Sequence, residues 1–253
     1  MRVRLLPSAP DGSGHQFVTS YLINDTVAID AGCLGFYGTP ADQAKVTAVF
    51  ITHSHADHVC SLPIFAMNVH DHARRGVTVH SHQHVLDCLR TDVFNGRVWP
   101  DFVSMRVGGT PLVRLELVVP GRAVRVDGLS VTAVAVDHAV PTVAYIVDDG
   151  VSAVVFSSDS GPTGEVWAAA RALPHVKAVF IGVSFPDEEL ALANASGHLT
   201  PCLFAQELAK LPVGATPVVV HTKAAHRTRI VEQLRALGLE QVVLGADDRE
   251  YVL

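Results

Sequence analysis

His53, His55, Asp57 and His58 put three imidazoles and one carboxylate into the stretch Thr52-His53-Ser54-His55-Ala56-Asp57-His58. A strand that leaves a sheet and turns into a helix aims alternate side chains at one point. His53 and His55 then project together, while Asp57 and His58 project from the helix start. Zinc takes imidazole nitrogen and carboxylate oxygen at about 2.0–2.2 Å. Four such groups are too many for one catalytic zinc that must keep an open position. They suit two ions side by side, His53 and His55 on one, Asp57 and His58 on the other. The plain alternative is a polar loop after a strand, but H-x-H-x-D-H is costly to assemble without a cation.

Two metals need more ligands, and the chain offers them where apolar runs end. His138 follows Val131–Val136, Asp159 follows Val151–Phe156, and His221 follows Val218–Val220. Any one of these alone reads equally well as a cap or turn residue. Together with the first cluster they complete a set: His53, His55 and His138 on one metal, Asp57, His58 and His221 on the other, Asp159 bridging. Two Zn2+ ions are the expected cofactors, with Mn2+ or Fe2+ as alternatives.

Strand-sized, Val-rich runs bounded by Gly, Asp or Pro position these residues. They are Val3–Leu6, Tyr21–Ile23, Val27–Ile29, Ala48–Ile51, Val77–His80, Leu112–Val119, Ala123–Val126, Val131–Val136, Val143–Val147, Val151–Phe156, Ala178–Gly182, Val218–Val220 and Gln241–Leu244. Helical patterns fall at Val59–Arg74, His82–Val93, Glu165–Leu173, Thr200–Leu211 and Ala225–Leu237. The stretch from about 112 to 156 is almost pure β and the flanks are mixed. That pattern predicts a four-layer αββα sandwich, two mixed β-sheets face to face with helices outside. No linker or low-complexity stretch divides the chain, so one domain over residues 1–253 is expected.

The 253 residues are 49% hydrophobic with a formal net charge of −6, which argues against a long polyanionic partner. Cys33, Cys60, Cys88 and Cys202 form no C-x-x-C pair and read as reduced thiols of a cytoplasmic protein. The first ten residues hold two arginines but no apolar signal run, and no run is long enough for a membrane span.

The order H-x-H-x-D-H, then His, Asp and His, resembles the metallo-β-lactamase superfamily. Asp30, ending an early strand, is similar to that family's first motif, whose residue orients the ligand loop. His55 keeps the all-nitrogen pattern, where di-iron members typically carry Glu. Two further segments resemble the class II cyclic-nucleotide phosphodiesterases. Phe94-Asn95-Gly96-Arg97-Val98-Trp99-Pro100-Asp101-Phe102 is similar to F-N-x-x-I-W-P-D-F, and Ser196-Gly197-His198-Leu199-Thr200-Pro201 to S-G-H-L-T-P. Ser158-Asp159-Ser160-Gly161-Pro162 resembles G-D-T-G-P. The chain departs from the family at Ala56, usually Leu, and at Gly182-Val183-Ser184-Phe185, where the family's Glu-Cys-Ser-Phe carries a carboxylate.

The resemblance implies a two-metal hydrolase of a small phosphodiester, converting a 3′,5′-cyclic nucleotide to a nucleoside 5′-monophosphate. A metal-bridging hydroxide would be the nucleophile, and Asp57 and His198 the catalytic residues. His198 would act as general acid on the leaving alkoxide, with a pKa near working pH. Phe94, Asn95 or Trp99 would hold the base. Aromatic rings in such a loop can equally be tucked under a helix, and His198 can equally lie in a helix start capped by Thr200 with Pro201 first in the helix. An RNA 3′-processing nuclease and a lactonase or thioester hydrolase of the same fold are the alternatives. The nuclease would need a basic arm, and no Lys/Arg-rich insertion is present. The expected partner is a small anionic ester, without membrane or polymeric nucleic acid, and a homodimer is an allowed assembly.

Overall fold

The computed structural model describes residues 1–9, 13, 15–239, 241–246 and 249–253. Its strands are β1 (Arg2–Leu5), β2 (Tyr21–Ile23), β3 (Val27–Ile29), β4 (Ala48–Phe50), β5 (Val77–Ser81), β6 (Arg106–Val107), β7 (Thr110–Pro111), β8 (Val113–Leu117), β9 (Ala123–Val126), β10 (Leu129–Val136), β11 (Thr142–Asp148), β12 (Ala153–Phe156), β13 (Val176–Gly182), β14 (Thr216–Val220), β15 (Val243–Leu244) and β16 (Glu250–Val252). Its α-helices are α1 (Pro40–Gln43), α2 (Ala56–Val59), α3 (Leu62–Ala73), α4 (Gln83–Cys88), α5 (Glu165–Arg171), α6 (Leu190–Ser196), α7 (Pro201–Leu208) and α8 (Arg227–Ala236).

Two sheets of seven strands form, in the orders β16-β1-β2-β3-β4-β5-β8 and β15-β14-β13-β12-β11-β10-β9. Both are mixed. In the first, β3, β4, β5 and β8 run parallel; in the second, β12, β13, β14 and β15 do. The period-2 alternation of strand side chains makes both faces of each sheet apolar. Val3, Leu5, Ile29 and Phe50 point inward and meet Tyr145, Phe156, Phe180 and Val220 of the other sheet. Leu22, Ala28, Val49 and Ile51 point outward onto Leu62, Phe65 and Val69 of α3. On the opposite side Val155, Val179, Ile181 and Val219 pack on Trp167 of α5, Phe204 of α7 and Ile230 of α8. This is the four-layer αββα sandwich, the metallo-β-lactamase fold.

Two helical expectations need correction, and one helix was not foreseen. The helix expected over Val59–Arg74 is two helices, α2 and α3. Ser61 breaks it: its N–H and its hydroxyl both donate to the Ala31 carbonyl, and its Oγ accepts from the Gly35 N–H. The chain is thereby tied to the end of β3 before Pro63 restarts the helix. The pattern over His82–Val93 is α4 followed by a π-helical turn at Leu89–Val93. Helix α6 was not expected, because three acidic residues precede it and only Ala193 is buried.

Candidate metal centre

The putting-together of the site begins at β4. Its last residue, Phe50, is buried between the sheets, and Thr52 to His55 run outside any regular element, with His55 extended, until α2 starts at Ala56. The inter-sheet contacts are dense here. The Tyr145 hydroxyl donates to the Ile51 carbonyl at 3.0 Å, and the Val143 N–H donates to the Thr52 carbonyl at 3.1 Å. The second sheet is thus locked against the ligand loop. Loops after β10, β12 and β14 deliver His138, Asp159 and His221 to the same spot.

The structure brings all seven sequence-derived ligands into two groups that share Asp159. His53, His55, His138 and Asp159 form one; Asp57, His58, Asp159 and His221 form the other. Within each group the ligand atoms lie within 4.8 Å of one another. His53 Nε2 and His55 Nδ1 are 3.1 Å apart, His138 Nε2 and His55 Nδ1 3.2 Å, and His58 Nε2 and His221 Nε2 3.3 Å. Two imidazole nitrogens on one tetrahedral zinc, each at about 2.0–2.1 Å, would lie roughly 3.3 Å apart. The buried Asp159 Oδ1 has no hydrogen-bond partner among the described residues. Converging imidazoles beside an orphaned carboxylate oxygen fit a pair of divalent cations.

The protonation states of His53 and the two carboxylates fit as well, whereas His58 must give up a proton to a cation: burial alone would lower its pKa, but the Asp30 and Asp159 carboxylates raise it. Burial lowers the pKa of His53, and the neighbouring His58 lowers it further, so His53 is a neutral donor. Burial alone would raise Asp159, but His221 and His58 outweigh it and hold the carboxyl well below its usual range. Asp57 is held low in the same way, burial being overcome by its hydrogen bond to His221 and by His58. Ionised carboxylates and neutral imidazoles are the forms that bind metal.

Four ligand histidines are held through their other ring nitrogen, which fixes ring orientation. The Asp30 carboxylate meets His58 Nδ1 at 2.7 Å, Ser184 Oγ meets His221 Nδ1 at 3.1 Å, and Thr52 Oγ1 meets His53 Nδ1 at 3.0 Å. His138 Nδ1 donates to the Gly197 carbonyl at 3.0 Å. A side chain at Gly197 would come within 2.6 Å of His138 Cα, and its φ is +64°. Sequence reasoning missed Ser184, Thr52 and the Gly197 carbonyl, because a single hydroxyl or carbonyl has no motif of its own. Gly182, where the resembled family carries a carboxylate, faces the site: a Cβ there would lie 3.6 Å from His221 Cβ.

Asp30 is buried and has φ +59°. Its Oδ1 accepts from the Thr52 N–H and its Oδ2 takes His58. In Asp30→Asn an amide that turns its N–H2 toward His58 meets a donor, while Asn tolerates the left-handed backbone. Metal affinity should fall about 10–100-fold, read by competition with a chromophoric chelator. Unchanged affinity would refute the orienting role.

His198 is at the site: its Nδ1 is 4.0 Å from Asp159 Oδ2, and its ring lies edge-on to His138 with centroids 4.9 Å apart. Thr200 caps α7 and Pro201 is its first residue, so the helix start holds this imidazole in place. The expected pKa near working pH is corrected. Burial pulls His198 down to about 4, and the imidazole is neutral at pH 7.

The expectation for the aromatic segment is corrected at Phe94. Phe94 is 1% exposed and stacks on Phe102 in the layer between the first sheet and α3. It has no surface left for a base. Asn95 spends its amide on its own turn, donating to the Thr91 carbonyl and accepting from the Arg97 and Val98 N–H groups. Trp99 is half-buried and edge-on to Phe102. Aromatic side chains this large are commonly buried for the area they remove from water.

A family model described as the beta-lactamase superfamily domain matches residues 27–222. A Yersinia pestis protein named as a probable 3′,5′-cyclic-nucleotide phosphodiesterase is 27% identical over 232 residues, covering 81% of this chain. The chain covers 64% of that relative's length. Among solved structures, unliganded yeast PDE1 superposes with a TM-score of 0.82 at 17% identity, over 100% of this chain and 99% of that one. Zn(2+)-bound PqqB from Methylobacterium extorquens superposes with a TM-score of 0.71 at 15% identity, over 100% of both chains. At those identities the solved structures establish the fold alone.

Proposed function

Since the chain belongs to the beta-lactamase superfamily, we propose that it is a two-metal hydrolase of small phosphodiesters, acting on 3′,5′-cyclic nucleotides to release nucleoside 5′-monophosphates. The observation that carries the reading is the pair of ligand groups joined through Asp159. The substrate comes from the name of the Yersinia pestis relative. Zinc is the favoured metal: the donors are imidazole and carboxylate, and PqqB of the same fold binds Zn2+. Four cysteines without a disulfide favour a cytoplasmic setting, and no helix among the described residues is long and apolar enough to cross a membrane. The ligands run from His53 to His221, which supports one catalytic unit over the chain.

When bound, the two ions supply Lewis acidity and an activated water. The chain's own residues do the rest. Asp159 gives both groups a shared negative charge. Asp30, Thr52, Ser184 and the Gly197 carbonyl keep the imidazoles aimed. His198 needs no place in either ligand group, so it is free to meet the leaving oxygen. As a neutral imidazole it offers an N–H to the developing alkoxide, a preorganised donor where charge appears.

The test is a substrate panel on zinc-loaded protein: cyclic AMP, cyclic GMP, bis(p-nitrophenyl) phosphate, a lactone set and a pre-tRNA. The expected result is turnover of the cyclic nucleotides to 5′-monophosphates with two metals per chain. Turnover of lactones alone, or of pre-tRNA alone, would overturn the reading.

A further inference from the structure

An apolar groove of 580 Å³ is lined by Pro7, Phe17, Val18, Gly32, Phe36 and Cys60 among others, and by none of the seven candidate ligands. That volume lies in the range of about 300–1,000 Å³ usual for small-molecule sites. Two of its aromatic rings face water: Phe17 is 55% exposed and Phe36 66%. They are not stabilising the core, and neither belongs to a motif.

The segment that carries Phe17 is bound to the metal centre on both sides. One residue before it, the Gln16 side chain accepts a hydrogen bond from the His221 N–H. Two residues after it, the Thr19 N–H donates to the Asp57 carbonyl at 2.8 Å, and the Thr19 carbonyl accepts from Gly32 at 3.0 Å. Phe17 is therefore tied to two ligands of one metal group, Asp57 and His221. The floor is built from the same helix. Cys60 follows Asp57 by three residues, so both lie on one helical face, and the Cys60 thiol donates to the Gly32 carbonyl at 3.1 Å. A Cβ at Gly32 would come within 2.1 Å of the Asp57 carbonyl, so floor and ligand loop are in direct contact.

We propose that this groove is the nucleobase subsite, with Phe17 and Phe36 as its stacking surfaces and the Asp57–His221 edge as the end from which the phosphate reaches the metals. The proposal rests on the phosphodiesterase reading and assigns to Phe17 and Phe36 the base contact that Phe94, buried in the core, does not make. Aromatic stacking tolerates any base, because every base has a π-face. The subsite therefore selects for a purine or pyrimidine ring over an alkyl ester and discriminates little between adenine and guanine.

The experiment uses the full chain with Phe17→Ala, Phe36→Ala, the double variant and Phe36→Tyr. Both positions are exposed, so folding is spared. Saturation-transfer NMR of adenosine with metal-stripped protein reads the groove without any phosphate or ion. KM and kcat for cyclic AMP on zinc-loaded protein read it in turnover. We expect adenosine ring protons to receive saturation from the wild type and to lose it in the double variant. KM should rise about tenfold in each single alanine variant with kcat retained, and Phe36→Tyr should restore it. If adenosine contact is lost in the double variant while the wild type turns over no cyclic nucleotide, the groove stands as a nucleoside site and the phosphodiesterase reading falls. If cyclic AMP is turned over with KM and adenosine contact unmoved by the substitutions, the subsite is overturned and the phosphodiesterase reading stands. Unmoved KM together with loss of a dimer on sedimentation would instead give the groove to a second copy of the chain and also overturn the proposal.

Discussion

Asp159→Asn should cost the protein its second metal ion and at least about 10³ in cyclic-nucleotide turnover, roughly 4 kcal/mol of transition-state stabilisation. The argument is geometric. Asp159 Oδ2 lies 3.9 Å from His53 Nε2, 3.6 Å from His58 Nε2 and 4.0 Å from His138 Nε2, while Oδ1 is 3.4 Å from His221 Nδ1. It is the one carboxylate common to both groups. Asparagine has nearly the same shape but no charge, and one of its two ends is a donor. Two cations held side by side repel each other, and the shared anion is what offsets that. Metal analysis by mass spectrometry and kcat/KM on cyclic AMP check the result. Asp57→Asn provides the contrast, because Asp57 belongs to one group only and should weaken one ion selectively. Two tightly held ions with full activity in Asp159→Asn would exclude the shared-ligand assignment.

His198→Ala should keep both metals and still lose roughly 10²–10⁴ in kcat on a cyclic nucleotide. An alkoxide is a poor leaving group unless it gains a hydrogen bond or a proton as the bond to phosphorus breaks. His198 stands 4.0 Å from Asp159, buried between His138 and Phe185, and is in neither ligand group. On bis(p-nitrophenyl) phosphate the loss should be much smaller, because p-nitrophenolate leaves without help. The ratio of the two losses is the decisive readout. Equal losses on both substrates would reject the donor role and assign His198 to phosphate binding. With its pKa at about 4, the wild-type rate should show no His198 titration between pH 6 and 8.

How much of this was legible in the sequence depends on how far apart the cooperating atoms sit in it. The His53–His58 cluster is local, and one turn of chain brings its side chains together, so spacing alone was enough. His138, Asp159 and His221 are distant, yet each follows an apolar strand, and β10, β12 and β14 are alternate strands of one sheet that run the same way, so their ends share one edge. That is why the convergence of these seven residues was legible in the sequence. The aromatic segment was not. Phe94 and Trp99 have the residue types of a base-binding platform, but whether a ring points inward depends on what packs above it, here Phe102 and the α3 layer. Phe17 and Phe36 were passed over for the converse reason. Each is an isolated aromatic in irregular or 3-10 backbone, with no period to say which way it faces. The break at Ser61 was hidden too, since it depends on a bond to Ala31, 30 residues earlier.

The seam between the sheets also sets an order in time. His58 meets His221 across 163 residues of chain, and His55 meets His138 across 83. At a synthesis rate of about 5–20 residues per second, the early cluster leaves the ribosome on the order of 10 s before its last partner exists. During that interval it is an open half-cage of imidazoles and one carboxylate, and such donors favour copper(II) over zinc by raw affinity. Selectivity would enter only when the second sheet docks and three more strand ends, one of them carrying the shared anion, impose their angles. An ion held by the completed site would thus be chosen at the close of folding, by geometry, and not by the first ligands to meet it.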